Sequence, residues 1–129
     1  MDETLRIAVA TSDGRIVDSH FGRCPSFQIL EVSEDASFQD RERRAVPVAC
    51  LGGTHSDGAL AGAAALLQDC DLVLVTRAGP GARAALAEQG ISIYEIPGDV
   101  RDAVDKILIH RELEQSMAAL LNDPANGSP

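Results

Sequence analysis

The sequence predicts an α/β fold, a three-layer α/β/α arrangement around a five-stranded mixed sheet. Three observations favour this class. Short apolar runs and helix-forming segments follow one another in the order β-β-β-α-β-α-β-α. One of the runs, residues 71–76, is almost wholly apolar, which is typical of a central strand buried on both faces. Only 3% of the residues are aromatic, so the core must consist of aliphatic side chains, which suits a parallel or mixed sheet covered by helices.

The front half of the chain contains three predicted strands, at residues 5–11, 26–32 and 38–48. Asp13-Gly14 is a strong turn pattern after the first strand, and it leaves residues 15–17 free to pair back briefly. The segment 18–25 is irregular. The third strand carries alternating charges, and Pro47 favours its end or a sheet edge.

The back half reads as right-handed β-α-β crossovers. Ser56 is a candidate N-cap for a helix over 59–68, and Gly90 ends a second helix over 82–89. Strands are expected at 71–76 and 91–96. Asp99 is expected to cap a last helix over 100–121, whose irregular apolar spacing indicates a break near Arg111. Residues 1–121 thus form a single domain, and residues 122–129 a disordered tail.

Charge and apolar content exclude several classes of function. The formal net charge is −9, whereas nucleic acids and anionic membrane surfaces both require a basic footprint. No apolar run reaches the 18 residues of a membrane-spanning helix, and the acidic N-terminus does not resemble a signal peptide. We therefore expect a cytoplasmic protein that binds neither nucleic acid nor membranes.

The three cysteines are too few and too scattered for a disulfide framework or a structural zinc site, because no Cys-x-x-Cys pair is present. They remain candidates for an open metal site. Cys50 and His55 flank Gly52-Gly53, and a thiolate and an imidazole on such a loop can reach one soft metal centre. The alternative is a half-buried cysteine beside an idle surface histidine.

His20 lies in a loop beyond the first strand, within Asp18-Ser19-His20-Phe21-Gly22. Phe21 can anchor the loop in the core and Gly22 permits close backbone approach, which leaves His20 free to point outward. A neutral imidazole is a good transition-metal ligand, and Cys24 is close in sequence. The alternative interpretation is a surface histidine without a function.

The segment Arg77-Ala78-Gly79-Pro80-Gly81 follows one predicted strand and opens a helix. Backbone N–H groups at a helix start, together with Arg77 and Arg83, favour an anion. Neither a dinucleotide fingerprint nor a P-loop is present, and a compact turn is the alternative interpretation.

No pattern for an enzyme stands out. The sequence has neither a nucleophile elbow nor a His-Glu-x-x-His run. Asp13, Asp18 and Asp57 are able to bind magnesium, which would allow a hydrolase, but all three are more simply explained as turn residues.

These loops together resemble the dinitrogenase iron-molybdenum cofactor biosynthesis family, which includes nitrogenase carriers of the NifX type and the C-terminal domain of NifB. The resemblance extends from Leu5 to Ile109, and the element His20-Phe21-Gly22 is its most specific part. The other matching segments are residues 7–14, 27–32, Cys50 with Gly52-Gly53, 69–71, 79–81 and 84–91.

The resemblance implies a ribonuclease-H-like fold without nuclease activity, and binding of the iron-molybdenum cofactor or its precursor. It makes His20 the leading ligand and Cys50 a weaker one, while Cys24 and His55 rest on local chemistry alone. Nitrogenase assembly proteins are the implied partners. The chain lacks the radical-SAM motif Cys-x-x-x-Cys-x-x-Cys, so it cannot itself perform the chemistry of NifB.

Two alternatives to a non-catalytic carrier of this cofactor stay open. Small members of the family hold a molybdenum-copper sulfide cluster apart from nitrogen fixation, so the metal is not fixed by the resemblance. The second alternative is a protein–protein interaction module, with the long C-terminal helix as its docking element.

Overall fold

The main sheet has five strands, in a computed structural model that describes residues 4–33, 35, 37–46 and 57–122. The strands are β1 (Leu5–Val9), β3 (Ser26–Val32), β4 (Phe38–Ala45), β5 (Leu72–Val75) and β6 (Ser92–Glu95), in the spatial order β4-β3-β1-β5-β6. Two short strands, β2 (Ile16–Val17) and β7 (Gly98–Asp99), pair separately. The helices are α1 (Asp57–Leu66), α2 (Pro80–Glu88) and α3 (Val100–Asn122). The predicted α/β class and the five-stranded mixed sheet are confirmed.

The strand directions bring two loops to one edge of the sheet. β3 runs antiparallel to both β1 and β4, whereas β1, β5 and β6 run parallel to one another. Parallel strands end at the same edge, and ligand sites of α/β proteins occur outside these carboxyl ends. The loops that follow β1 and β5 therefore emerge side by side.

The two faces of the sheet have separate cores, as period-2 alternation requires. Ala8 on β1, and Ala10 just beyond the strand, face the core that α1 and α2 cover, through residues such as Leu60 and Leu86. Ile7 and Val9 face the opposite core, which α3 covers with Val104 and Ile107, among others. Helices thus lie on both faces of the sheet, which makes three layers.

Three details differ from the sequence-based expectations. Residues 15–17 do not return to the main sheet, because Ile16 and Val17 pair with Asp99 and Gly98. The strand expected over 38–48 ends at Ala45, and residues 47–56 lie outside the described part, with Ser56 among them.

The third difference concerns α3, which does not break near Arg111 but is one continuous helix. No proline or glycine interrupts residues 100–122. The irregular apolar spacing has another cause: every residue from Glu112 to Met117 is exposed, so the helix loses its contact with the core there. α3 includes Asn122, and the predicted tail from 123 onward lies outside the described residues.

The start of α3 agrees with the sequence. Asp99 Oδ1 accepts a hydrogen bond from the Asp102 N–H at 3.1 Å, which is the N-cap geometry expected for an aspartate. Within the described residues, no helix is long and apolar enough to cross a membrane.

An ion-pair network joins the sheet to the end of α1. Arg44 contacts Asp69 at 2.6 Å and Glu42 at 2.6 Å, and it also donates to the Leu66 carbonyl. Arg6 pairs with the same Asp69 at 3.0 Å. Hydrogen bonding from Arg44 lowers the pKa of Asp69 from 3.8 to about 2. The stabilisation from this carboxylate is therefore present above its ordinary pKa and is lost as the pH falls towards 2.

We predict that Asp69→Asn flattens the acid limb of the stability profile. Urea denaturation between neutral pH and pH 2 measures the free energy of unfolding. The wild type should lose the contribution of the Asp69 carboxylate as the pH falls, whereas the variant lacks this contribution at every pH. Asp40→Asn is the matched control, because Asp40 is exposed and has no ion pair among the described residues. An unchanged acid limb in Asp69→Asn would contradict this role of the network.

Candidate functional site

The loop that carries His20 is fastened to the loop that carries Arg77 by two backbone hydrogen bonds. The Thr76 N–H donates to the Ser19 carbonyl at 3.0 Å, and the Phe21 N–H donates to the Arg77 carbonyl at 3.0 Å. These bonds bracket His20 in sequence. The two loops consequently form one unit at the carboxyl ends of β1 and β5.

Phe21 anchors this unit in the core. Its side chain is 2% exposed and its ring centroid lies 5.6 Å from that of Phe27. A single 3₁₀ turn covers Phe21–Arg23, and His20 precedes it in extended conformation. Phe21 and Gly22 are buried whereas His20 is exposed, which matches the arrangement expected from the sequence.

The acids that precede His20 shape the loop. Asp13 accepts hydrogen bonds from the N–H groups of Arg15 and Ile16, which lower its pKa. Asp18 accepts from the Ser12 hydroxyl at 2.5 Å and the Ser19 hydroxyl at 2.9 Å, and its pKa is lowered chiefly by the Ser12 bond. Both carboxylates act here as turn residues.

Glu95, at the end of β6, shapes the loop of Arg77. Its carboxylate accepts a hydrogen bond from the Ala78 N–H at 2.8 Å and pairs with Arg83 at 2.5 Å. The Ala78 bond is the main cause that lowers the pKa of Glu95. Arg83, which the sequence suggested as an anion ligand, is therefore paired within the protein.

The start of α2 adjoins this loop. The N-cap residue is Gly79, which offers no side-chain hydrogen bond, and Pro80 opens the helix. α2 thus begins two residues earlier than the sequence indicated. The positive end of its dipole is left without a capping acid.

His20 and Arg77 line one cavity of about 470 Å³ between the two loops and α2. This volume lies within the usual range for small-ligand sites. Five predicted site residues line it, and four further residues were not predicted; the whole set is His20, Gly22, Arg23, Leu60, Arg77, Gly79, Pro80, Gly81 and Ala82. Phe21, the remaining predicted residue of the loop, supports the cavity from the core.

Arg23 is the most informative residue that the sequence analysis missed. It stands three residues after His20, so a single helical turn places both on one side, but nothing in the sequence predicts that turn. Arg23 and Arg77 have no ion-pair partner among the described residues. Among the other arginines, Arg6, Arg41, Arg44 and Arg83 are paired. Four more have no ion pair among the described residues but do not line the cavity, namely Arg15, Arg43, Arg101 and Arg111.

Of the remaining predicted metal ligands, only Cys24 lies in the described part of the chain, and it does not line this cavity. Cys24 is 2% exposed, its Sγ–H donates to the Ser26 carbonyl at 2.8 Å, and burial raises the pKa of its thiol. It lines a smaller neighbouring cavity of about 290 Å³ with Arg43. Cys50 and His55 lie outside the described residues. Among the residues that are described, no three His, Cys, Asp or Glu side chains form a metal-binding group.

Residues 3–109 match the dinitrogenase iron-molybdenum cofactor family. This match covers most of the chain, including both loops of the cavity. The chain belongs to this family.

Two curated relatives of this chain are FeMo cofactor biosynthesis proteins named NifB. The chain is 39% identical to NifB of Sinorhizobium fredii over 95 residues, which are 74% of this chain and 19% of that protein. It is 34% identical to NifB of Herbaspirillum seropedicae over 120 residues, which are 93% of this chain and 21% of that protein. The chain thus spans about a fifth of the length of these relatives.

Among solved structures, the apo form of the orange protein of Desulfovibrio gigas has a similar fold. The two structures superpose with a TM-score of 0.61 at 27% identity, over 86% of this chain and 92% of the orange protein. The fold of this chain is therefore also found in a protein that is only a little longer than the superposed region.

We predict that Phe21→Ala destabilises the protein by about 3–5 kcal/mol, the usual cost of removing a buried aromatic side chain. Phe38→Ala is the control, because Phe38 is only partly buried, on an outer strand. Guanidinium denaturation measures both. Faster hydrogen exchange at the Phe21 amide would show that the loop has loosened, and equal losses in the two variants would contradict the anchoring role.

Proposed function

We propose that this protein is a non-catalytic carrier that holds an anionic metal–sulfur cluster in the His20 cavity. The cargo is the iron-molybdenum cofactor or its precursor, as the family and the names of the NifB relatives suggest. One observation carries the proposal: an exposed imidazole and two arginines without ion-pair partners in the described chain line the same cavity, in a protein of net charge −9.

The chemistry of this donor set fits such a cargo. The imidazole of His20 is a ligand that iron accepts. The guanidinium groups of Arg23 and Arg77 supply hydrogen bonds with positive charge to sulfides or carboxylates at the cluster surface. The uncapped start of α2 adds N–H groups at the positive end of a helix dipole. Leu60, Pro80 and Ala82 add apolar surface to the lining of the cavity.

A carrier must also release its cargo, and this explains the small number of ligands. Closed sites with four protein ligands hold metals as part of the fold. Here the described residues supply one direct ligand and several charged contacts, so a stronger ligand on an acceptor can take the cluster by exchange. Proteins of nitrogenase assembly are the acceptors that the family suggests.

The same cavity suits a molybdenum-copper sulfide cluster, which is the second candidate cargo. Copper and molybdenum sulfides are also anionic and also accept an imidazole. The family resemblance, which extends to small proteins that hold such a cluster, keeps this candidate beside the first. The same proposal includes a ribonuclease-H-like fold, a single domain over residues 1–121 and a cytoplasmic location.

We predict that His20→Ala weakens cluster binding by at least about tenfold, or 1.4 kcal/mol, because it removes the direct ligand. Anaerobic titration with isolated iron-molybdenum cofactor, followed by visible absorption, measures the affinity. His110→Ala is the matched control, since His110 is an exposed histidine on α3 away from the cavity. A parallel titration with a molybdenum-copper sulfide cluster decides between the two cargoes.

Equal binding by His20→Ala and the wild type would overturn the role of His20. Binding of neither cluster by the wild type would overturn the carrier function as a whole.

We further predict that Arg23→Gln and Arg77→Gln each weaken binding and reduce its dependence on salt, since an ionic contact is lost. Arg15→Gln is the control, because Arg15 is exposed and does not line the cavity. The measurement is the same titration at low and high ionic strength. An unchanged salt dependence in both variants would show that these arginines do not face the cargo.

A further inference from the structure

Gly79 is the N-cap residue of α2 and lines the cavity of His20, yet its backbone does not require a glycine. Its dihedral angles are φ −75° and ψ 174°, an extended conformation that any residue adopts. Gly90, just beyond the other end of α2, has φ 73°, a value at which a side chain is strained. The path of the chain therefore explains Gly90 but does not explain Gly79.

Packing does not explain Gly79 either. A Cβ atom placed on its backbone meets no atom of the described chain within 4 Å, so a side chain at this position would clash with nothing there. The open space beside Gly79 adjoins the cavity, because Gly79 is part of the cavity lining. What the glycine preserves is room at the cavity wall.

The start of α2 has two N–H donors that a side chain at position 79 would ordinarily satisfy. The Arg83 N–H donates to the Gly79 carbonyl at 2.9 Å, which is the first hydrogen bond of the helix. An N-cap Asn, Asp or Ser accepts from the second or third helical N–H. Here these belong to Gly81 and Ala82, since Pro80 opens the helix. With glycine as the N-cap, neither donor has an acceptor among the described residues.

The preceding turn shows that the fold supplies an acceptor to a nearby donor. The Ala78 N–H donates to the Glu95 carboxylate at 2.8 Å. The donors of Gly81 and Ala82 differ, because both residues line the cavity, and Ala82 is only 4% exposed. Leaving a donor without an acceptor at a buried residue is costly. These two N–H groups therefore indicate that a group from outside the chain accepts their hydrogen bonds.

The surroundings of the two donors favour an anion as that group. They lie at the positive end of the α2 dipole. Arg23 and Arg77 line the same cavity, and no acidic residue is part of its lining. A sulfide or carboxylate at the surface of a cluster has both the charge and the lone pairs that these donors require.

We propose that Gly79 keeps the start of α2 open to the cargo, so that one anionic atom of the cluster accepts the Gly81 and Ala82 N–H groups. The inference rests on the proposed function, because its ligand is the cargo of the carrier. It makes stability and binding oppose each other at this position. A side chain that caps α2 stabilises the helix and also occupies the place of the cargo atom.

The test compares Gly79→Asn and Gly79→Asp with the wild type, all as the full chain. Thermal denaturation should give both variants a Tm about 1–4 °C above that of the wild type, because each supplies the missing cap. Anaerobic titration with isolated iron-molybdenum cofactor should give the opposite order. We expect a dissociation constant at least about threefold higher for Gly79→Asn and at least about tenfold higher for Gly79→Asp, whose charge also repels the cargo.

Gly62→Ala is the matched control for added stability. Gly62 is exposed within α1, a Cβ there also meets no atom within 4 Å, and the residue does not line the cavity. Alanine is the better helix former, so this variant should also have a higher Tm. Its dissociation constant should equal that of the wild type, which separates a gain in stability from a loss of binding.

Four outcomes would overturn the inference, and they are distinguishable. Equal binding by both Gly79 variants and the wild type overturns it while the carrier function stands. Weaker binding by Gly79→Asp alone does the same, because repulsion then accounts for the loss without hydrogen bonds to the cargo. A Tm of Gly79→Asn below that of the wild type shows that the glycine serves the fold. A wild type that binds no cluster overturns the carrier function and this inference with it.

Discussion

Two backbone hydrogen bonds, from Thr76 to Ser19 and from Phe21 to Arg77, hold the candidate site together. They tie the loops after β1 and β5, and these loops meet only because the two strands are parallel neighbours. Backbone bonds fix the path of the chain without using the side chains of His20 and Arg77. Both side chains are consequently positioned by the fold and still available for a ligand. The burial of Phe21 adds the apolar contact that keeps the loop closed on the core.

The electrostatics of the site depend on where the acids are held. The protein carries 20 acidic and 11 basic residues, yet the residues that line the cavity include two arginines and no acid. The acids nearest in sequence to the loops, Asp13 and Asp18, accept hydrogen bonds inside their own turns. Glu95 is engaged with the Ala78 N–H and with Arg83. Arg23 and Arg77 remain as the cations of the cavity. The acidic composition thus says little about the charge that a ligand meets.

Much of the fold followed from the sequence because it depends on periodicity. The apolar run of β5 predicted its burial, and the pair Phe21 and His20 was correctly divided into a buried and an exposed residue. The pairing of β2 with β7 was not predicted, since two residues are too short for any pattern. Arg23 was missed because its position depends on a 3₁₀ turn, and the continuity of α3 because its apolar pattern ends where the core ends. Cys24, though close to His20 in sequence, turns into the core instead.

The state of the Cys24 thiol bears on which side chain would hold the cluster of the proposed carrier. Burial raises the pKa of Cys24, so a thiolate there would form against the cost of desolvation. A neutral imidazole needs no such deprotonation and stays exposed at the cavity. Under the proposed function, the cluster is therefore held by an exposed imidazole and by charges that act over several ångströms. Binding of this kind is shared between one metal bond and an electrostatic field, and an acceptor can break it by supplying a thiolate and a competing charge.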